Sequence, residues 1–342
     1  MRLPAEPPGF AAAWLLVLAA CCLDRLVGDP AGWLHPVQVM GWLIRRLQLR
    51  AEAWALDRPL PLRAAGVLIT LLLVAGSAGT GWLLERLAAH LPLLGLPLLL
   101  LALASALAGG SLCRAVRQVL HALPDLEAAR AHLAWIVGRD VSRLDAAGIM
   151  RAAAETASEN AVDGLFAPLF WMLLGAWLWA ASAGDLPGPL ALAWAFKAAS
   201  TLDSMLGYRH GRLRWLGTAG ARLDDLLTWL PCRLVALSLP MAAGRPQQCL
   251  AGLQTALAEG AADPSPNAGV SQAAYAWAAQ VRLGGINRYA DGLRAKPILG
   301  GGHPAADITA VARILRLSDR LELLWLGLSA LGVLALVLAQ QP

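Results

Sequence analysis

Five apolar runs, each long enough to cross a bilayer, constrain the fold of this chain more than any other feature. A helix crosses the hydrocarbon core in roughly 20 residues, and helices satisfy all their backbone hydrogen bonds within one segment. The chain has 342 residues, of which 58% are hydrophobic and 15% are charged, and this balance disfavours a soluble globular domain. The clear candidate spans are residues 10–26, 64–84, 91–112, 165–183 and 321–339.

Two weaker apolar segments follow the fourth clear span. Residues 190–202 contain Lys197, and residues 226–243 contain Pro231 and Arg233 near their middle. Proline removes a helical hydrogen bond and a charged side chain is costly in lipid. We therefore expect the second segment to be re-entrant or buried rather than a full span.

The first apolar run, residues 10–26, is interpreted as a retained helix. It lacks a strongly basic n-region and a cleavage site of small residues, so it does not match a cleaved signal peptide. The sequence thus predicts an all-α, polytopic integral membrane protein, with residues 1–342 forming a single membrane-embedded domain. The motif-bearing loops between the spans are residues 113–164, 203–225 and 244–320.

The distribution of arginine predicts which side of the membrane these loops face. Residues 45–63 hold five arginines and residues 113–164 hold six, whereas residues 85–90 and 184–189 hold one between them. Because basic residues accumulate on the cytoplasmic side, we expect a multi-pass protein of the bacterial cytoplasmic (inner) membrane, with the motif-bearing loops in the cytoplasm.

Charge, cysteine and histidine patterns exclude several functions. The net charge of +5 suits an anionic inner leaflet, but no nucleic-acid recognition motif accompanies it. The five cysteines form no C-x-x-C pair and the six histidines form no H-x-x-x-H pair. A zinc site, a disulfide framework and a nucleic-acid partner are therefore not predicted.

The stretch ETASENAVDG concentrates acid just before an apolar run. On a helix Glu155, Glu159 and Asp163 would share one face, with Arg151 one turn earlier. A solvated amphipathic helix with an Arg151–Glu155 pair worth about 0.3–0.5 kcal/mol is the simpler interpretation. Since the helix leads into a span, where uncompensated acid is costly, we favour a Mg²⁺ ion or a substrate cation as the compensating charge.

Ser142 and Asp145 form a capping-box pattern ahead of these acids. The pattern predicts a helix that starts near Leu144 and ends at Gly164.

Three further aspartates, Asp203, Asp224 and Asp225, lie at a predicted membrane edge. Helix capping and ion pairing with Arg222 are the simpler explanation, and a ligand site is the alternative.

Only two of the 28 basic residues, Lys197 and Lys296, are lysines. In a chain so rich in arginine, a retained lysine indicates a position that needs a compact ammonium group, such as a phosphate or carboxylate site. Chance retention of two lysines is the alternative.

Several motifs, taken together, resemble one family. They are LDRLVGDP with LHPV, GRDVSRLD, ETASENAVDGLFAPLF, KAASTLDSMLGY, ARLDDLLTWLP, and SPNAGVSQAA with QVRLGGINRY. The set is similar to the adenosylcobinamide-phosphate synthases of cobalamin (vitamin B12) biosynthesis, the CobD/CbiB membrane proteins, and covers nearly the whole chain in the family's order. Departures at Ala157-Ser158 and Ala161-Val162 leave the acidic positions intact.

The resemblance implies a ligase that forms a C–N (amide) bond. The family attaches (R)-1-aminopropan-2-ol or its O-phosphate to the propionate of adenosylcobyric acid, which gives adenosylcobinamide or its phosphate. Activation of the carboxylate implies ATP as co-substrate, with Mg²⁺ and an acyl phosphate intermediate. No bound redox cofactor is implied, since the corrinoid is the substrate. The chain has no Walker motif, so the mode of ATP binding stays open.

The resemblance and the charge pattern together lead to three sets of candidate site residues. The candidate catalytic residues are Glu155, Glu159, Asn160, Asp163 and Asp203. The candidate Mg²⁺ ligands are Glu155, Glu159, Asp163, Asp224 and Asp225. The candidate substrate-binding residues are Arg139, Asp140, Lys197, Ser204, Tyr208, Arg222, Asn267, Gly285, Asn287 and Lys296.

Two other functions stay open. An intramembrane Mg-dependent prenyltransferase-like enzyme also places acidic clusters at helix ends, but it needs a second D-x-x-x-D-like cluster, which the sequence lacks. A non-catalytic membrane corrinoid-binding or sensor protein would bind cobyric acid without ATP turnover. Expected partners are adenosylcobyric acid, aminopropanol or its phosphate, and the lipid bilayer. Other membrane-associated cobalamin-assembly enzymes are further candidates.

Overall fold

The structure is a computed structural model that describes residues 9–29, 32, 35–289 and 292–339. Helices dominate it, which confirms the helical class. The N-terminal helices are α1 (Phe10–Leu26), α2 (Pro36–Ala55), α3 (Pro59–His90), α4 (Pro92–Ala104), α5 (Gly109–Ala122), α6 (Leu126–Ala134) and α7 (Ala146–Ala161). A π-helical segment (Val162–Phe166) then leads into α8 (Ala167–Ala181), α9 (Pro189–Leu206), α10 (Leu213–Leu216) and α11 (Thr218–Ala242). A 3₁₀ turn (Pro246–Gln248), α12 (Cys249–Gly260), α13 (Ala268–Ala279), β1 (Leu283–Tyr289), β2 (Gly292–Leu299) and α14 (Ile308–Ala339) complete the order.

A β-hairpin is the exception to the all-α prediction. Strands β1 and β2 pair antiparallel, with Asn287 opposite Arg294 and Gly285 opposite Lys296. The register shifts between Leu283 and Gly285, where two glycines adopt positive φ angles. An alternation of apolar and polar residues predicts a strand. Strand β1 shows no regular alternation and β2 only a short one, so the signal for this hairpin is weak.

Three helical stretches among the described residues are long and apolar enough to cross a membrane. They are Pro59–His90, Ala146–Ala181 and Ile308–Ala339, and they overlap three of the predicted spans. Helix α1 matches the predicted helix at residues 10–26, and its 17 residues lie at the lower end of the range for a membrane span. Membrane insertion itself stays a prediction.

The apolar run at residues 91–112 differs from the expected continuous helix. Helix α4 ends at Ala104 and α5 begins at Gly109, with a bend of 43° between them. The Ser105 hydroxyl donates to the Ala102 carbonyl at 2.7 Å, and the glycines at the start of α5 have low helix propensity. Helices α4 and α5 would together count as a fourth span if the bent pair crosses the membrane as one segment.

Helix α11 continues through Pro231 and Pro240 without a break. Proline has no N–H to donate to the carbonyl four residues earlier. For Pro231 that carbonyl belongs to Leu227, and it accepts instead from Trp171 Nε1 at 3.1 Å. The proline in this segment is therefore accommodated within a regular helix, and the re-entrant placement of residues 226–243 stays a prediction.

The chain divides into two compact units, and the single-domain organisation stays an expectation. The first unit combines residues up to Ala108, Ala167–Leu227 and residues from Leu328 onward. Its core includes Ile44, Leu62 and Leu202, all fully buried.

The second unit combines Gly109–Phe166 with Thr228–Gly327. Its central element is α13, in which all residues from Gly269 to Ala279 except Trp277 are buried. Tyr275 of this helix is fully buried and its hydroxyl lies 2.7 Å from the Ser318 hydroxyl of α14. The Ser271 hydroxyl donates to the Ser158 carbonyl of α7 at 2.6 Å. These two contacts fix α13 between α14 and α7, the helix that carries candidate site residues.

Candidate functional site

The N-cap of helix α7 is Asp145 and not Ser142, which the predicted capping box requires. The Asp145 side chain accepts from the Gly148 N–H at 2.8 Å and caps the helix. Asp140 instead accepts from the Ser142 N–H at 2.9 Å, which makes a turn before the helix. The helix also does not end at Gly164, because the π-helical segment continues it into α8. The predicted start near Leu144 is therefore within two residues of the observed start at Ala146, whereas the capping box and the end at Gly164 were wrong.

Glu155 of α7 is buried and its two oxygens are both occupied. Arg139 Nη2 donates to Oε2 at 2.6 Å, and the Gly284 N–H donates to Oε1 at 2.9 Å. Arg151, the predicted partner one turn away, brings its Nε only to 3.9 Å. Glu155 thus holds a loop arginine and strand β1 in place.

Glu159 lies one turn further along α7. Its Oε2 accepts from Gln272 Nε2 of α13 at 2.6 Å, and its other oxygen has no hydrogen-bond donor among the described residues. Lys296 of β2 forms an ion pair with Asp263 at 3.2 Å. Burial alone lowers the pKa of Lys296, but attraction to Glu159 and Asp263 outweighs it, so the pKa is raised above its usual range. The ammonium therefore stays charged beside Glu159.

One cavity of about 270 Å³, here called the α7 cavity, is lined by Arg139, Glu155, Glu159, Gln272 and Lys296, among others. The loop before α7 supplies one wall, and the Thr156 hydroxyl holds that loop by donating to the Ile136 carbonyl at 3.0 Å. The structure brings six predicted site residues together here: Arg139, Glu155, Glu159, Asn160, Asn287 and Lys296. Their sequence positions span more than 150 residues, so the fold alone assembles them.

Asp163 lies in the π-helical segment and is not among the residues that line the α7 cavity. A π-helical turn holds more residues than an α-helical turn. The segment therefore breaks the spacing that would have aligned Asp163 with the two glutamates.

Three other candidates of the second unit lie outside the α7 cavity. Asp140 is half-buried, and hydrogen bonding with Ser142 holds the pKa of its carboxyl below its usual range. Asn267 is buried and accepts from Arg233 Nη1. Gly285 lines a separate cavity described below.

The first unit contains the remaining seven candidates. Lys197 is half-buried and attracts Asp224. The Ser204 hydroxyl donates to the Ser200 carbonyl at 2.8 Å, Tyr208 is exposed beside His210, and Arg222 is exposed. We call Asp203, Asp224 and Asp225 the aspartate cluster.

Burial and mutual repulsion shape the ionisation of the aspartate cluster. Burial, together with the neighbouring Asp203 and Asp225, raises the pKa of Asp224 to about 7. Burial followed by repulsion from Asp225 raises the pKa of Asp203, and burial raises that of Asp225 against the attraction of Arg209. The cluster therefore binds protons near neutral pH, which is a property of closely spaced carboxylates.

Of the predicted Mg²⁺ ligands, Glu155, Glu159 and Asp163 belong to the second unit and Asp224 and Asp225 to the first. Among the described residues, no group of three or more histidine, cysteine, aspartate or glutamate side chains has a metal-binding arrangement. Mg²⁺ usually takes one or two protein carboxylates and completes its shell with water and substrate phosphates. Glu159 fits that smaller requirement better than Glu155, because one of its oxygens is free of hydrogen-bond donors. The Mg²⁺ assignment stays a prediction.

Sequence reasoning did not assign Gln272, Asp263, Thr156 and Tyr289 to the site. Gln272 orients Glu159, and Asp263 holds Lys296. Thr156 and Tyr289 line the α7 cavity. Gln272 and Tyr289 lie inside SPNAGVSQAA and QVRLGGINRY, so the motifs contained a signal that charge patterns alone did not provide.

Comparison with known proteins agrees with the resemblance seen in the motifs. A family model described as CobD/Cbib protein matches residues 17–318. The chain belongs to the CobD/CbiB family. It is 39% identical to the cobalamin biosynthesis protein CobD of Synechocystis sp., over 96% of this chain and 93% of that protein.

Other CobD/CbiB proteins show similar agreement. The cobalamin biosynthesis protein CbiB of Salmonella choleraesuis is 37% identical over 89% of this chain and 93% of its own length. The cobalamin biosynthesis protein CobD of Pelobacter propionicus is 39% identical over 87% and 88%. No solved structure matches the chain. Membership of the CobD/CbiB family places this helical protein in cobalamin biosynthesis.

Proposed function

We propose that this protein forms an amide bond during cobalamin biosynthesis. The reaction joins (R)-1-aminopropan-2-ol, or its O-phosphate, to the free propionate of adenosylcobyric acid, and ATP activates the carboxylate. The product is adenosylcobinamide or its phosphate. Family membership supports the pathway, and the α7 cavity supports the chemistry.

The observation that carries the proposal is the meeting of an acid, cations and amides in the α7 cavity. Amide formation needs an anion-binding cation, a proton acceptor for the amine and groups that orient the two reactants. Lys296 supplies the cation, Glu159 the proton acceptor, and Asn160, Gln272 and Asn287 the amides.

The proposed reaction has two bond-forming steps. A propionate oxygen attacks the γ-phosphorus of ATP, which forms an acyl phosphate and releases ADP. The amine nitrogen then attacks the acyl carbon, and the C–O bond to inorganic phosphate breaks. An alkyl ammonium must first lose a proton, and the Glu159 carboxylate is placed to accept it.

The cations of the cavity bind and position the anionic groups. Lys296 is held between Asp263 and Glu159, and Arg139 is fixed by Glu155. Both therefore meet a substrate carboxylate or phosphate with little loss of side-chain freedom. Bound Mg²⁺ would neutralise phosphate charge, with Glu159 as its candidate protein ligand.

We also propose that the protein lies in the cytoplasmic (inner) membrane with this site facing the cytoplasm, where ATP is present. Lys197, Asp203, Ser204, Tyr208, Arg222 and the rest of the aspartate cluster stay candidates for substrate or Mg²⁺ binding. Their assignment rests on the motifs that contain them.

The test is a reconstituted reaction. Purified protein is incubated with adenosylcobyric acid, aminopropanol or its phosphate, and Mg-ATP, and the amide product is measured by mass spectrometry. We expect a product that requires ATP and the amine. Binding of adenosylcobyric acid without any product would instead indicate a sensor or corrinoid-binding protein. A parallel incubation with an isoprenyl diphosphate and Mg²⁺ tests the prenyltransferase-like function, which isoprenoid transfer would indicate.

Glu159→Gln is the variant that tests the proposed base. It keeps the shape of the side chain and removes its charge, so we expect kcat to fall by about a hundredfold or more, the usual contribution of a positioned base. Glu127→Gln is the matched control, because Glu127 is exposed on α6 and lines no part of the α7 cavity. Near-normal turnover of Glu159→Gln would show that the acidic face of α7 is not catalytic.

A further inference from the structure

A second cavity of the second unit, here called the arginine cavity, lies beside the α7 cavity. It has a volume of about 610 Å³ and is lined by Arg143, Arg151, Arg282, Gly284 and Gly285. The arginine cavity and the α7 cavity have no lining residue in common. The reaction proposed above assigns no role to the arginine cavity.

The arginine cavity carries a surplus of positive charge. The side chains of Arg143 and Arg282 are exposed, and neither has a hydrogen bond or ion pair within the described part of the chain. The one acidic residue in its lining, Asp145, is engaged in capping α7. Two guanidinium groups are thus available to a ligand, with a third beside them.

Arg151 forms the inner wall of the arginine cavity. Its Nη1 donates to the Gly284 carbonyl at 3.1 Å and its Nη2 to the Ile286 carbonyl at 2.8 Å. Its Nε is buried and has no hydrogen-bond partner among the described residues. Arg151 therefore contributes fixed positive charge while it holds strand β1.

The two glycines let the β1 backbone run close to this arginine. Gly284 and Gly285 have φ angles of +85° and +103°, a conformation that other residues rarely adopt. A Cβ atom at Gly285 would lie 2.8 Å from Arg151 Nη1. A larger residue would displace the guanidinium and fill the floor of the cavity.

The arginine cavity is connected to the α7 cavity by two hydrogen bonds. Arg151 Nη2 donates to Asn287 Oδ1 at 3.3 Å, and the Gly284 N–H donates to Glu155 Oε1 at 2.9 Å. Asn287 and Glu155 both line the α7 cavity. A ligand bound in the arginine cavity therefore lies next to the proposed reaction site.

We infer that the arginine cavity binds the phosphate groups of a substrate of this protein. Guanidinium groups bind phosphate through paired, charge-assisted hydrogen bonds, and the chain has no Walker motif to serve that purpose. The inference rests on the proposed function, because that function provides the two candidate phosphate groups. They are the triphosphate of ATP and the phosphate ester of aminopropanol phosphate.

The test compares Arg143→Gln and Arg282→Gln, alone and together, with wild-type protein purified in detergent. Calorimetry measures the Kd of a non-hydrolysable ATP analogue and of aminopropanol phosphate. Each substitution removes charge-assisted hydrogen bonds, so we expect Kd to rise about tenfold for each substitution. Arg288→Gln is the matched control, because Arg288 is an exposed arginine of the adjoining strand β1 and lines neither cavity.

The two ligands distinguish the source of the phosphate. Weaker binding of the ATP analogue alone assigns the cavity to the nucleotide, and weaker binding of aminopropanol phosphate alone assigns it to the amine substrate. Wild-type Kd values for both ligands in the double variant would overturn the inference. A wild-type protein that binds these ligands but forms no amide would contradict the proposed function and leave this site standing.

Discussion

At the residue scale, the partner of Glu155 is the clearest difference between pattern and structure. The helical spacing predicts an Arg151–Glu155 pair on an exposed face. In the structure Glu155 is buried against Arg139 and strand β1, while Arg151 donates to the hairpin backbone. The predicted Arg151–Glu155 ion pair is present but long, at 3.9 Å, and Glu155 forms its shorter ion pair with Arg139, which joins a loop to the helix.

We expect either partner of this pair to be costly to remove. Glu155→Met leaves the buried charge of Arg139 without its partner, and Arg139→Met leaves Glu155 with only the more distant Arg151. The free energy of unfolding should therefore fall by about 3–5 kcal/mol in each variant. Because the double variant removes both charges, its loss should be smaller than the sum of the two single losses. Denaturant unfolding in mixed micelles measures all three.

The exposed ion pair of Arg212 with Asp57 is the matched control for the two single variants and the double variant of Arg139 and Glu155. Its Nε–Oδ1 distance is 2.8 Å, similar to the distance in the buried pair. Exposed pairs contribute little because water and salt screen them, so its removal should change the free energy of unfolding little. Equal losses at the two sites would contradict the assignment of Arg139–Glu155 as a buried, stabilising pair.

At the element scale, the aspartate cluster forms where α9 and α11 bring together residues that are distant in sequence. Asp203 lies near the end of α9, and Asp224 and Asp225 lie in α11. Gly207 permits the turn after α9, because its N–H donates to the Asp203 carbonyl and an added Cβ would meet the Asp203 side chain. Asp224 and Asp225 are adjacent in the sequence, and helix packing brings Asp203 to them.

The raised pKa of Asp224 predicts a pH-dependent loss of stability. The folded protein holds this proton up to about pH 7, whereas an unfolded aspartate loses it near pH 4. Stability from this group is therefore fully present below about pH 4 and is lost as the pH rises towards 7. Asp224→Asn, which cannot ionise, should avoid that loss.

Thermal unfolding in metal-free buffer measures this effect. The Tm of Asp224→Asn minus that of wild-type protein should be close to zero near pH 4 and should become positive, with its full size above about pH 7. A difference in Tm that stays constant across this range would show that Asp224 ionises normally in the folded protein.

At the scale of the whole molecule, the sidedness of the membrane determines whether ATP can reach the proposed site. The arginine distribution predicts that residues 244–320 are cytoplasmic. Gly302 lies in an exposed turn between β2 and α14, and a Cβ atom there would contact nothing within 4 Å. A reporter inserted at this position should therefore leave the fold intact.

We expect a reporter domain inserted after Gly302 to be active only if it functions in the cytoplasm. The paired measurement uses one reporter that works in the cytoplasm and one that works in the periplasm. Activity of the periplasmic reporter alone would place the hairpin and the α7 cavity on the wrong side for ATP, and it would make residues 226–243 a full span.

The sequence by itself determined the features that depend on local composition and order. Apolar runs of membrane length predicted the helices at 64–84, 165–183 and 321–339, because a helix needs only its own residues to satisfy its backbone. The motifs, which follow the family's order along the chain, predicted the CobD/CbiB family. Six of the predicted site residues line the α7 cavity.

The tertiary structure alone decided which charges meet. Asp163, in the π-helical segment, does not line the α7 cavity. The hairpin brings Lys296 and Asn287 to α7, Gln272 of α13 contacts Glu159, and Asp263, in the turn between α12 and α13, holds Lys296. The contacts of α7 with the hairpin and with α13 join residues more than a hundred positions apart, and neither periodicity nor propensity encodes a distance of that kind. Burial then set the partner of Glu155 and the pKa of Asp224, because both depend on how much water the packed helices exclude.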